Sequence, residues 1–150
     1  MGRILVVANQ TLGCVELDEV LDEYVARGSS EMHLLAPLTA TEGEHEWDYP
    51  AVDRSFPEPR QIAHALAAGR LQKEVSRLRA RGVQVTGEVV DEDPVGSVRD
   101  VLAAGAFDEV VVCTLPERFS RWLRKDLPQR LKRASQVPVR HVPGSAGPSL

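Results

Sequence analysis

Ile4-Leu5-Val6-Val7-Ala8-Asn9-Gln10-Thr11 is the stretch on which the fold turns. An unbroken apolar run, rich in β-branched residues, ends in a polar turn. A strand with one solvated face would alternate, so a run of this kind suits a strand covered on both faces, as in a parallel sheet. Beyond it, Val15, Leu17, Val20, Leu21, Tyr24 and Val25 recur at helical spacing with acidic residues between them. Gly28 stands where a helix-ending glycine belongs. Met32 to Leu38 is a second short apolar strand. The opening third therefore reads strand, helix, strand.

The alternation continues outward. A long helix is expected from after Pro59 to Gly82, with Ile62, Leu66, Val75 and Leu78 inward and Arg70, Lys73, Arg77, Arg79 and Arg81 on its exposed face. Val83 to Val90 reads as a third strand. Asp93-Pro94 opens the next helix, aspartate suiting the cap and proline the first turn. Val98, Val101 and Leu102 form that helix's inward face. Val110 to Cys113 is a fourth strand, a basic helical segment runs from Phe119 to Ala134, and Val137 to Val142 closes the series. Thr39 to Pro59 is acidic, holds prolines and lacks periodicity, so it reads as a long loop, a kind that is usually functional or mobile. Five strands alternating with four helices imply an α/β fold: a five-stranded parallel sheet with helices on both faces. One domain is expected over 1–143, with residues 144–150 a disordered Gly/Pro/Ser tail.

Composition bounds the function. At 150 residues, 43% hydrophobic and 27% charged, the chain is an ordinary globular domain with enough core to need no staples. A net charge of −4 gives no global attraction to nucleic acid or anionic membranes. No apolar run approaches the roughly 20 residues of a membrane span, and the start lacks a signal-peptide core. The two cysteines, Cys14 and Cys113, stand far apart without metal spacing, which suits a reducing compartment; the cytoplasm is the expected location. Cys113 ends a buried strand, where free cysteine is usually inert. Cys14 starts the first helix, where the dipole lowers a thiol pKa. His33, His45, His64 and His141 show no ligand spacing, and no metal site is expected. Ser97, Ser120 and Thr114 lack the Gly-x-Ser-x-Gly elbow of a hydrolase.

Open parallel sheets bind ligands at the carboxyl ends of their strands, where strand order reverses. The turns after strands one, two, three and four are therefore the candidates: Asn9, Gln10 and Thr11; Ala36; Asp91; and Thr114 onward.

The residues that make up these elements resemble the universal stress protein family. Ile4 to Thr11 is similar to the family's opening strand, commonly Ile-Leu-Val-Ala-Val-Asp-Gly-Ser. Val89-Val90-Asp91-Glu92-Asp93-Pro94 resembles its third strand and Gly-Asp/Asn-Pro turn. Asp108 to Thr114, Phe119-Ser120-Arg121-Trp122-Leu123 and Val137-Pro138-Val139 resemble the later elements in order. The resemblance implies strand order 3-2-1-4-5, an adenine nucleotide alpha hydrolase-like, Rossmann-like topology, and homodimers paired through the last strand, Val137 to Val142.

The family's ATP loop, Gly-x2-Gly-x9-Gly-[Ser/Thr] after strand four, does not carry over. Its positions hold Cys113, Pro116 and Lys125-Asp126, or Asp126-Leu127 without a gap, and every glycine is missing. Pro116 has no N–H to donate and a fixed φ, and residues with a Cβ resist the left-handed turns glycine permits. Asp126, as cap of a helix beginning at Leu127-Pro128, would place a carboxylate where a phosphate should sit. The family's adenine-side aspartate is Asn9 here. Tight ATP binding in the usual mode is therefore not expected; no cofactor is expected, with an adenine nucleotide disfavoured.

From Glu117 to Arg133 seven basic residues face two acidic ones. Arg118 and Arg121 fall where the phosphate loop would be. Their guanidinium groups suit a small anionic ligand or the acidic loop, and the rest read as a solvated helix face. No aromatic platform accompanies them, which argues against nucleic acid. The candidate ligand set is Asn9, Gln10, Thr11, Ala36, Asp91, Thr114, Pro116, Arg118, Ser120 and Arg121. The expected function is a non-enzymatic regulatory or ligand-sensing domain. The alternatives are a nucleotide-hydrolysing enzyme of the related group, which would need a phosphate loop, and a pure protein–protein module, which would show a crevice plugged by side chains.

Overall fold

The computed structural model describes residues 2–38, 59–90, 94–115 and 127–145. Strand β1 spans Arg3–Val7, β2 Glu31–Pro37, β3 Gln84–Val90, β4 Glu109–Thr114 and β5 Val139–Pro143. They form one sheet in the order β3-β2-β1-β4-β5, and every pairing is parallel. Between them lie α1 (Val15–Ala26), α2 (Pro59–Arg79), α3 (Pro94–Ala104) and α4 (Leu127–Ala134). The expected acidic loop, the Asp91–Asp93 turn and the stretch from Pro116 to Asp126 lie outside the described residues. The closing strand starts two residues later than its apolar pattern suggested: Pro138 has no N–H to give the ladder, and its carbonyl alone takes part, accepting from Val110 N at 2.9 Å.

The apolar run of β1 serves two cores at once. Ile4, Val6 and Ala8 point to one face with α1 and α2, and Leu5 and Val7 to the other with α3 and α4. That is why the run does not alternate: both faces of the strand are removed from water. At roughly 25 cal/mol per Å² of apolar surface, such doubly covered strands carry much of the stability.

Helix α2 differs from its expected facing. Ala63, Ala67, Leu71, Val75 and Leu78 are buried, while Ile62 is 39% exposed. The small alanines let the helix lie close on the sheet, and Leu71 fits against Gly87 of β3, where a Cβ would meet its Cδ1 at 3.0 Å. Of the basic residues expected on the solvent face, Lys73, Arg79 and Arg81 are exposed, whereas Arg70 and Arg77 are half-buried, and several of them hold the helix in place. Arg79 donates twice to Val85 O, at 3.2 and 2.9 Å. Arg77 reaches across to α1, 2.9 Å from Asp22 and 3.2 Å from Asp18, and also bonds the buried Glu74 at 3.0 Å. Burial first, and the neighbouring Glu74 carboxyl second, push Asp18 up to about 8 despite Arg77.

This cluster makes folding pH-dependent. The folded chain keeps the Asp18 proton to about pH 8, whereas the unfolded chain releases it near the ordinary value of 3.8. The folded state therefore binds more protons across that interval, and its stability falls as pH rises through it. Asp18→Asn should flatten this fall, read from urea midpoints at the two ends of the interval. A variant whose midpoint drops as steeply as that of the parent would contradict the assignment.

Candidate functional site

Strand order reverses between β1 and β4, which places the candidate crevice at their carboxyl ends. The chain leaves β1 through two tight turns, Leu12 N donating to Asn9 O and Cys14 N to Thr11 O, both at 3.0 Å. Gly13 sits at φ 83°, a left-handed conformation that glycine adopts without strain. Cys14 then caps α1, its sulfur accepting from Leu17 N at 3.4 Å.

Of the predicted residues that are described, Asn9, Thr11 and Thr114 lie at this end and bond to the protein itself. Asn9 is buried. Its Nδ2 donates to Pro37 O at 2.8 Å, and its Oδ1 accepts from Arg70 at 3.0 Å. A carbonyl only accepts and a guanidinium only donates, so this geometry requires an amide with both capacities, which an aspartate lacks. Thr11 Oγ1 donates to Cys113 O at 3.2 Å, tying the first turn to the end of β4. Thr114 Oγ1 lies 2.7 Å from His141 Nε2, and burial holds the His141 pKa below its usual value. Ala36 is fully buried in the core, and Gln10 is half-buried. Asp91, Pro116, Arg118, Ser120 and Arg121 lie outside the described residues.

Two participants were not expected from the sequence. Arg70, read as a solvent-facing cation, is an internal partner of Asn9. Its signal was the spacing Arg70, Lys73, Arg77, a basic stripe opposite the acidic residues of α1. The second is Gly144, expected in a disordered tail. It is buried, and its N–H donates to Thr114 O at 2.8 Å. A Cβ there would stand 2.6 Å from Cys113 Sγ, 3.1 Å from Cys14 Sγ and 3.2 Å from Thr11 Cγ2. Ser145 follows, its hydroxyl donating to Glu16 at 2.9 Å. Residues 144–145 thus close over the ends of β1 and β4.

Beside this corner, Leu12, Gly13, Asp18, Arg70, Lys73, Glu74 and Arg77 line a cavity of about 140 Å³. Ligand pockets usually span roughly 300–1,000 Å³, so this one is too small for a nucleotide. Two larger hollows, of about 350 and 400 Å³, open at the amino ends of the strands and away from the switch point. Among the described residues, no group of three or more histidine, cysteine or acidic side chains could hold a metal ion. Nor is any described helix long and apolar enough to cross a membrane.

No protein-family model and no curated protein matches the sequence. Solved structures do match the fold. A universal stress protein family protein from Arabidopsis thaliana with AMP bound shares 15% identity over 97% of this chain and 94% of its own, with a TM-score of 0.63. The universal stress protein from Archaeoglobus fulgidus in complex with dAMP shares 16% over 95% and 98%, with a TM-score of 0.58. A universal stress protein family protein from Burkholderia pseudomallei shares 19% over 94% and 96%, with a TM-score of 0.57. The chain has the universal stress protein fold, and the expected strand order 3-2-1-4-5 is the observed one.

Asn9→Ala should cost about 1–3 kcal/mol in urea unfolding, because Pro37 O loses its donor and Arg70 an acceptor. Gly144→Ala should be destabilising by a similar ~1–3 kcal/mol through overpacking on the two sulfurs. Parental midpoints in both variants would show that these contacts do not hold the corner together.

Proposed function

We propose that the chain is a non-enzymatic regulatory domain on the universal stress protein fold, one that does not bind ATP in the mode of nucleotide-binding members. The observation that carries this reading is the engagement of Asn9. The side chain in the family's adenine-side position is bonded to Pro37 O and Arg70, inside the protein. Rebuilding it around an adenine would leave buried polar groups unpaired, at about 1–3 kcal/mol each. The sequence after β4 supports the same reading. Backbone amides that cradle phosphate need glycine freedom, and Pro116 with its neighbours denies it.

A ligand that suits such a domain is a small anion held by guanidinium groups, with Arg118 and Arg121 as the candidates in place of glycine amides. A second reading, a protein–protein module with no small ligand, is favoured by Gly144 seated against the two sulfurs, where the mouth of a crevice would open. In either case β5, at the edge of the sheet, is the surface proposed for pairing with a second copy.

Two measurements test this. In isothermal titration, ATP with magnesium should give no saturable heat at micromolar concentration; low-micromolar binding would overturn the proposal. Native mass spectrometry of freshly purified protein should show a dimer. A retained small anion that Arg118→Ala with Arg121→Ala abolishes would select the ligand-sensing reading, and a ligand-free dimer the protein module.

A further inference from the structure

We propose that Cys14 and Cys113 form a redox-responsive dithiol that closes to an intramolecular disulfide across the switch point of the sheet. The sequence separates the two residues widely, and the fold brings them together: β1 pairs with β4, so the cap of α1 meets the end of β4. Both cysteines are free and buried. The geometry at Gly144 locates both sulfurs close to a single point, 2.6 Å from one and 3.1 Å from the other. A disulfide needs the sulfurs to close to about 2.05 Å, a side-chain movement at a place where the neighbouring residue has no side chain in the way.

The two thiols are chemically unequal, as an attacking and a resolving cysteine should be. Donation from the Cys113 thiol is the largest of the effects that lower Cys14, to about 7 against burial, and the backbone amides of Ser145 and Leu17 assist. The same bond, with burial, pushes Cys113 up and keeps its proton on. Cys14 is thus the thiolate near neutral pH, and thiolate character sets the site of oxidation. Serine, threonine, aspartate and asparagine cap helices better than cysteine. A sulfur in this cap position, with a second sulfur beside the same point at Gly144, is explained by thiol chemistry more readily than by helix stability.

With a hydroperoxide as oxidant, the step balances as follows. The Cys14 thiolate attacks a peroxide oxygen, the O–O bond breaks, and hydroxide leaves and takes up the proton that Cys14 had released, forming water. Cys14 is then a sulfenic acid. The Cys113 sulfur attacks the Cys14 sulfur, an S–S bond forms, and the expelled hydroxide leaves as water with the Cys113 proton. Two thiols lose two electrons and one hydrogen peroxide becomes two waters. Among the described residues, Gly144 and Ser145 cover the sulfurs, held by the bonds to Thr114 and Glu16. Reaction requires this cover to lift, so oxidation reports on the end of β5 as well as on peroxide.

The full chain, treated with hydrogen peroxide, quenched, alkylated and digested, should lose the mass of two hydrogens and yield one peptide pair joining Cys14 to Cys113. Cys113→Ser should leave Cys14 as sulfenic acid or as an intermolecular disulfide, and Cys14→Ser should leave Cys113 reduced, both read on samples whose circular dichroism matches the parent. Two alkylated thiols in the wild type, at a peroxide dose that consumes free cysteine, would overturn the proposal. So would exclusive intermolecular linkage, or equal oxidation of Cys113 in Cys14→Ser. The wild-type peptide map decides the matter even if a variant does not fold, and it is independent of any nucleotide binding.

Discussion

Everything at the functional end of this molecule depends on β1 being hydrogen-bonded on both sides, to β2 and to β4. A strand in that position has no free edge and no solvated face, so the chain must leave it through a turn pressed against both neighbours. That turn runs from Asn9 to Cys14. Asn9 bonds to the end of β2 and Thr11 to the end of β4. Cys14 caps the helix that follows, and its sulfur and that of Cys113 both lie close to Gly144. At this point, where open parallel sheets offer a crevice, the described residues are tied to one another by the bonds that bring the chain off the sheet.

These ties are polar and specific, which separates them from simple collapse. Among the described residues, the Asn9 amide, the Thr11 hydroxyl and the Thr114 hydroxyl and carbonyl are each matched within the protein. Unmaking such a network costs more than making it gains, because buried orphaned groups bear the full desolvation penalty. Solved structures of the same fold hold AMP and dAMP, so the fold itself permits nucleotide binding. Whether a given chain uses that capacity depends on its local chemistry, because function resides in sites and not in folds.

Much of this architecture was legible in the sequence, for identifiable reasons. Runs such as Ile4 to Ala8 and Val110 to Cys113 are apolar because both faces are covered, and their shortness and β-branched residues separate them from a buried helix. Gly28 and Gly82 mark helix ends because both adopt positive φ there. The facing of α2 was not legible. Its buried stripe is built partly on Ala63 and Ala67, which carry little hydrophobic signal, while the more conspicuous Ile62 is exposed. The roles of Arg70 and Arg77 were hidden because a charged residue on a helix looks the same in sequence whether it meets water or an acidic helix. The sulfur pair and the seat of Gly144 arise from contacts between distant segments, which periodicity cannot report.

We propose, from the sequence after β4, that its backbone amides do not cradle a triphosphate. Amide chemical shifts of uniformly labelled protein, followed by NMR during addition of ATP with magnesium, test it most directly. The account predicts no saturable shifts for the amides from Thr114 to Leu127. Saturable shifts at those amides, fitting a low-micromolar affinity, would contradict it.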